Sequence, residues 1–330
     1  MPFLKGENVQ LGLATESTRG TFEEPTDWIR ARTPNGVQPI TETVPINEAT
    51  GSGMSSQGME VVQKRAEGDL EFNVRNGTIG FLLYSLLGNV STSTNGDSSG
   101  NVYDHDFSLQ TGSPEHQAIS FALAQENFQD YGYALGLVTS LEISISADDV
   151  VNATASLIAA SEESHTDFTP SYADTDHLFN HYDVKIEYAN DVSGLSSGTE
   201  IKVREASISL GNNGRPRQPV GSLNPDNMFA QASEFGGSFT LDYQNEDLHG
   251  IFYDGSVRAL RVTLTKTDQT IGDAANPVIE ITFPAVTFQE RNMDRPIDDV
   301  VGEEISFMAH YSESDSSGLD ITVTNEVTSY

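Results

Sequence analysis

Along most of the chain, apolar and polar residues alternate with a period of two, the pattern of a strand with one face buried. Leu70, Phe72 and Val74 alternate with Asp69, Glu71 and Asn73, and Leu141, Ile143, Ile145 and Ala147 alternate with Glu142, Ser144 and Ser146. Val151, Ala153, Ala155 and Leu157 follow after Asp148-Asp149, so these two runs predict a β-hairpin. The same texture returns in Ile119, Phe121 and Leu123, in Phe239, Leu241 and Tyr243, in Ile279, Ile281 and Phe283, in Ile305 and Phe307, and in Leu319, Ile321 and Val323. Many half-buried strands punctuated by Gly, Asn, Asp and Ser predict a mainly β protein of antiparallel sandwiches or barrels. One helix interrupts them at 78–87. It is too apolar to lie in water, with Thr78 placed to cap its start and Gly88 to end it.

A shift of 169 residues brings Gly68 onto Gly237, Leu70 onto Phe239, Phe72 onto Leu241 and Asn76 onto Asn245, and carries Ile79, Leu82 and Tyr84 onto Leu248, Ile251 and Tyr253. A strand running into a helix thus occurs twice. Further on, Ile119, Phe121 and Leu123 fall on Ile279, Ile281 and Phe283 at a shift of 160, and Ile143 and Ile145 on Ile305 and Phe307 at 162. The expectation is two tandem β modules, each with one short packed helix. The stretches 91–100 and 190–198 read as exposed polar loops, 160–176 as a domain boundary, and the opening residues as an extended arm with few sustained strands.

Composition sharpens this picture. Among 330 residues there are 49 acids against 17 bases, a formal charge of −32, while 16 Phe and 11 Tyr supply enough apolar surface for a core. A nucleic-acid-binding face is excluded on charge. Such acidity suits solubility in molar salt, where the Debye length falls to about 3 Å, so a halophilic source is expected. The absence of cysteine excludes disulfides, thiol nucleophiles and cysteine-held metal centres. The longest apolar stretch, 79–87, is far shorter than the roughly 20 residues that span a bilayer, and no basic and apolar leader pattern opens the chain.

Constellations for chemistry are few. His177 and His181 are four apart beside Asp174, Asp176 and Asp183, a spacing that on a helix would place two imidazoles on one face. No third ligand of defined spacing accompanies them, and an acidic linker is the competing reading. Asp104-His105-Asp106 begins a strand, where neighbours point to opposite faces. Glu162-Glu163, Asp298-Asp299 and Glu303-Glu304 offer carboxylates for calcium without an EF-hand pattern. The run from Gly211 to Arg215 reads as a turn, because neither a phosphate-loop lysine nor a helix start follows. No catalytic, cofactor-binding or metal residue is assigned, and the chain is expected not to be an enzyme.

The opening Gly12-Leu-Ala-Thr-Glu16-Ser-Thr18-Arg-Gly20-Thr21, then Pro25-Thr26 and Trp28, resembles the start of the tail tube (major tail) proteins of long-tailed bacterial and archaeal viruses. Gly68-Asp-Leu-Glu-Phe-Asn-Val74 with Gly80-Phe-Leu-Leu-Tyr-Ser-Leu-Leu-Gly88 is similar to that family's strand and short helix. The acidic close, ending in Thr324-Asn325, is similar to its last strands. The resemblance implies a virion structural protein, assembled in the host cytoplasm, whose stacked rings form the conduit for DNA. Its partners would be other copies of itself, in rings of three two-module chains or else six, together with tape-measure, terminator and baseplate proteins. DNA would pass through the lumen without specific binding, and no membrane or cofactor is implied. The expected organisation is an arm with the first strands over 1–66, a first tube module over 67–160, an acidic linker over 161–180 and a second module over 181–330. The alternative is a β-sandwich surface module binding carbohydrate or calcium.

Overall fold

The computed structural model describes residues 3–33, 36–51, 53–244, 246–298 and 300–330; Asn245 and Asp299 lie outside the described residues. The first half contains β1 (Val9–Thr15), β2 (Asp27–Ile29), β3 (Ala31–Thr33), β4 (Gln38–Ile46), β5 (Gly58–Asn73), α1 (Ile79–Leu87), β6 (Gly88–Thr94), β7 (Tyr103–Leu109), β8 (Ile119–Gln125), β9 (Asp130–Ser146), β10 (Asn152–Ala159) and β11 (Glu163–His165). The second contains β12 (Val184–Ala189), β13 (Thr199–Glu200), β14 (Glu205–Gly211), β15 (Arg215–Arg217), β16 (Asn227–Phe229), β17 (Glu234–Asp242), α2 (Asp247–Asp254), β18 (Arg258–Thr265), β19 (Val278–Asp294), β20 (Gly302–His310) and β21 (Asp320–Asn325). The protein is mainly β, and every named strand pairing is antiparallel.

A continuous sheet runs β4-β5-β10-β9-β14-β17-β20-β19. The two long strands, 17 residues each, serve two neighbourhoods. β9 pairs with β8 and β11 through its first part and with β10 and β14 through its second. β19 pairs with β18 and β21 first and with β20 afterwards. The apolar sides close over one contiguous core containing Phe72, Phe107, Phe121, Phe179, Phe239 and Phe283. Full burial of each such side chain contributes roughly 1.5–3 kcal/mol.

The two halves repeat one another in register. Asn152 stands opposite Ser144 as Gly302 stands opposite Asp294, an offset of 150 residues on both strands. Both hairpins carry a register irregularity at the same place, after Ser156 in the first and after Ser306 in the second. Phe72 faces Ala153 as Leu241 faces Glu303, so β5 maps onto β17 at the offset of 169 read from the sequence. β1 on β8 maps onto β12 on β18, Leu11 opposite Leu123 answering to Ile186 opposite Val262. One insertion breaks the parallel, the β6–β7 hairpin after α1; the β15–β16 hairpin answers to the outer part of the β4–β5 hairpin, Arg215 opposite Phe229 as Val44 stands opposite Glu60.

Several expectations change at this level. By pairing, β8 corresponds to β18 and β9 to β19, so the offsets of 160 and 162 each land one strand too far. Residues 9–46, read as part of an arm, hold β1–β4, with β1 paired along its whole length with β8. Gly88 ends α1 in the left-handed region at φ 91°, as expected of a glycine there, but the Thr78 side chain makes no cap bond. The β9–β10 turn uses Asp148 at φ 69°, a conformation Asp tolerates better than most residues.

Candidate assembly surfaces

Residues directly opposite one another in the continuous sheet form rows on one face. One row runs Asn73, Asn152, Ser144, Ser207, Ser238, Ser306 and Glu290. Its neighbours run Ser146, Glu205, Thr240, Glu304 and Asn292 on one side, and Glu71, Thr154, Glu142 and Ser209 on the other. The alternate rows, such as Phe72, Ala153, Ile143 and Ile208, are buried in the core. The open face therefore carries hydroxyls, amides and carboxylates, tied together by bonds such as Ser207 Oγ to Glu142 Oε1 at 3.0 Å and Ser156 Oγ to Asp69 Oδ1 at 2.7 Å. No base interrupts these rows. Arg65 lies further along β5, paired with Glu42 and Glu67, and Arg204 sits beyond the rows with Asp242 at 3.4 Å. Arg291 belongs to an alternate row and pairs with buried Glu303. Such a face offers a phosphate backbone repulsion and no counterion-releasing contacts.

Among the described residues the continuous sheet ends in two open strand edges. β4 pairs only with β5, and beyond Val286 β19 pairs only with β20. Pro39 and Pro45 lie on β4, as proline in a sheet must lie at an edge. Exposed apolar side chains cluster beside these edges: Val44, Met54, Met59, Val61 and Val62 on and around the β4–β5 hairpin, and Val257 and Met308 in the second half.

The opening motif is a brace rather than a reactive site. The Glu16 carboxylate, 4 % exposed, accepts the N–H of Gly20 at 2.6 Å, the N–H of Leu135 at 2.5 Å and the Ser120 hydroxyl at 3.2 Å. Burial raises its pKa against the lowering effect of these donors. Leu135, at φ 58°, lies where β9 passes from one set of partners to the other, and Glu16 holds its N–H there. Arg19 donates to Asn227 Oδ1, to the His116 carbonyl and to the Met228 carbonyl, fastening the β15–β16 hairpin of the second half onto the first. Trp28 is buried beside Phe22 and Phe168.

The sequence candidates for chemistry do not converge. His177 lies beside an extended stretch bridged Leu178 to Arg75 and Asn180 to Val150, and His181 opens a separate 3-10 turn over His181–Asp183, so the two imidazoles do not share a helical face. It is more than a solvated linker, since Asp176 and Phe179 are buried and Asp176 accepts the N–H of Gly77 at 2.9 Å. His105 points inward to Thr92, Asn325 and the Val327 carbonyl, while Asp104 and Asp106 take hydroxyls of Thr324 and Thr322 on the other side. Among the described residues no group of three or more His, Asp or Glu is placed to hold a metal. Asn212, in the expected turn, donates to the Leu86 and Val138 carbonyls and ties α1 to β9. The Lys266–Asp183 ion pair at 3.1 Å, both side chains buried, had no sequence signal because its partners are 83 residues apart.

A family model described as phage tail tube protein matches residues 6–309. A crystal structure of an Hcp protein is 12% identical, over 42% of this chain and 96% of that one, with a TM-score of 0.24, too low to bear on the fold. No curated protein matches.

Proposed function

The chain belongs to the phage tail tube protein family and is a structural component of a virion tail; from that premise we propose that three copies close into each ring of the tube. Each chain contributes two modules, over about 9–165 and 184–325, so three chains present six similar units around the bore. The polar face of the continuous sheet lines the lumen. The observation that carries this reading is the set of rows free of lysine and arginine, a surface along which DNA slides without being gripped.

The conduit delivers genome DNA, its length and ends set by tape-measure, terminator and baseplate proteins, and it assembles in the cytoplasm of a halophilic host. The charge of −32 favours that host, because high salt shortens the range over which like-charged rings repel. The chain does no catalysis. The carbohydrate-binding alternative loses its only tryptophan, which is buried.

Electron microscopy of the purified protein in molar potassium chloride and in dilute buffer, with mass determination in solution, tests the proposal. Hollow tubes or rings of three chains are expected, with assembly favoured by salt. A monomer at every salt and concentration would overturn it, and rings of six would keep the tube but not the pseudo-hexamer.

A further inference from the structure

We propose that the open edge of β19 pairs with the outer edge of β3–β4 from a second copy, in the register that β9 and β14 already adopt within one chain. This inference rests on the tube reading above. Inside the chain, β14 lies along β9 with Ser146 opposite Glu205 and Ser140 opposite Gly211. β9 corresponds to β19, and β14 occupies on β17 the place that β3–β4 occupy on β5. Ile208 faces Gly237, and the β4 register carried back one residue places Val37 opposite Gly68, the counterpart of Gly237. Carrying the pairing across sets Met293 opposite Val37, Asn292 opposite Gln38 and Arg291 opposite Pro39. Each copy thus offers one edge of each kind, a head-to-tail arrangement that closes into a ring. Pro39 leaves one donor out of this ladder while its carbonyl still accepts.

A second observation points to the same occupant. In the first half, Ala118 (2 % exposed) and Ile158 (9 %) are covered by Met228 of β16, which belongs to the hairpin between β14 and β17. Their counterparts in the second half, Val257 and Met308, are 51 % and 44 % exposed. The hairpin that corresponds to β15–β16 is the tip between β4 and β5, where Met54 and Met59 are 74 % and 67 % exposed. The neighbour whose β3–β4 edge joins β19 brings this apolar hairpin to the uncovered patch. Burying both removes two exposed apolar surfaces at once.

Cysteine cross-linking reads the register directly, because the natural chain has no cysteine. The inner pair Glu142 and Ser209 is a non-hydrogen-bonded one, since Ala147 N–H to Arg204 O and Asn212 N–H to Thr139 O fix the alternation. Such pairs bring Cα atoms to about 4.5 Å, within disulfide range. The full chain carrying Gln38→Cys and Asn292→Cys, oxidised after assembly, should move from monomer to covalent trimer on a non-reducing gel. Each single variant should stay monomeric, and Gln38→Cys with Asp294→Cys, two residues out of register, should cross-link far less. Met308→Glu should abolish tubes with an unchanged circular dichroism spectrum. Tubes of the 38/292 variant by electron microscopy without a cross-link, or stronger linking by the 38/294 pair, would overturn this interface and leave the tube reading standing. An unmodified chain that never assembles would overturn both.

Discussion

The first half of the molecule is finished by the rest of its own chain, and the second half is not. Eight of the nine residues of α1 are buried, roofed by β6–β7 and by Tyr330, whose ring meets Phe81 edge-on at 5.0 Å. In α2, Leu248 and Ile251 are buried while Tyr253 is 80 % exposed. β9 has a strand on each side of its second part; β19 has one. Glu16 is buried and braces two other strands, whereas Asp191, its counterpart after the strand that corresponds to β1, is exposed and accepts from its chain neighbours Ser193 and Gly194. One duplicated register therefore supports two degrees of completion. In the proposed interface the incomplete copy is the one that a neighbour completes.

The largest expected effect separates the halves at one corresponding position. Ile143→Asp places a carboxylate in a site 1 % exposed, at a cost of several kcal/mol, and should leave no soluble folded protein. Met293→Asp, at the half-exposed counterpart on the open edge, should give a folded monomer that forms no tubes. Circular dichroism and microscopy of the pair check this, and equal unfolding of both would break the comparison.

A smaller difference is expected at the braces. Glu16→Gln turns an amide N–H₂ towards a backbone donor and should cost about 1–3 kcal/mol in chemical denaturation. Asp191→Asn should leave the denaturation curve unmoved. If the two variants behaved alike, Glu16 would be no brace.

The smallest effect is a pH dependence with opposite signs in different places. Burial raises the pKa of Glu16 and of Asp176, so between the ordinary carboxylate value and the raised one the folded state holds protons the unfolded state has lost. Their contribution grows as pH falls from neutral through that window and is lost as pH rises through the folded values. Asp97, held down by the Ser99 hydroxyl and the N–H groups of Asp273 and Ser99, acts the other way below the ordinary range. The thermal midpoint should rise on going from neutral to mildly acidic buffer, and Glu16→Gln should flatten that rise. A midpoint that falls over the same interval would contradict the assignment.

Much of this was legible in the alternation of side chains. The strand and helix at 68–87 and their repeat at offset 169 survive because a single uninterrupted segment carries them. The later offsets slipped because half-buried strands look alike and β6–β7 adds residues to one copy only. β1–β4 were hard to see, since two of them are three residues long and β4 is almost wholly exposed, leaving no alternation to read. The rows of the polar face depend on which strands become neighbours across the whole chain, and no local pattern encodes that. The opening motif was visible as a string, but the bonds from Glu16 to Ser120 and Leu135 reach residues more than a hundred positions away.

The central claim is that three chains, each with two unlike copies of one module, make the ring. End-on averages of assembled tubes by electron cryomicroscopy test it most directly. The account predicts six lobes around the bore related by threefold symmetry alone, because only alternate lobes carry the β6–β7 insertion; six identical lobes, one per chain, would contradict it.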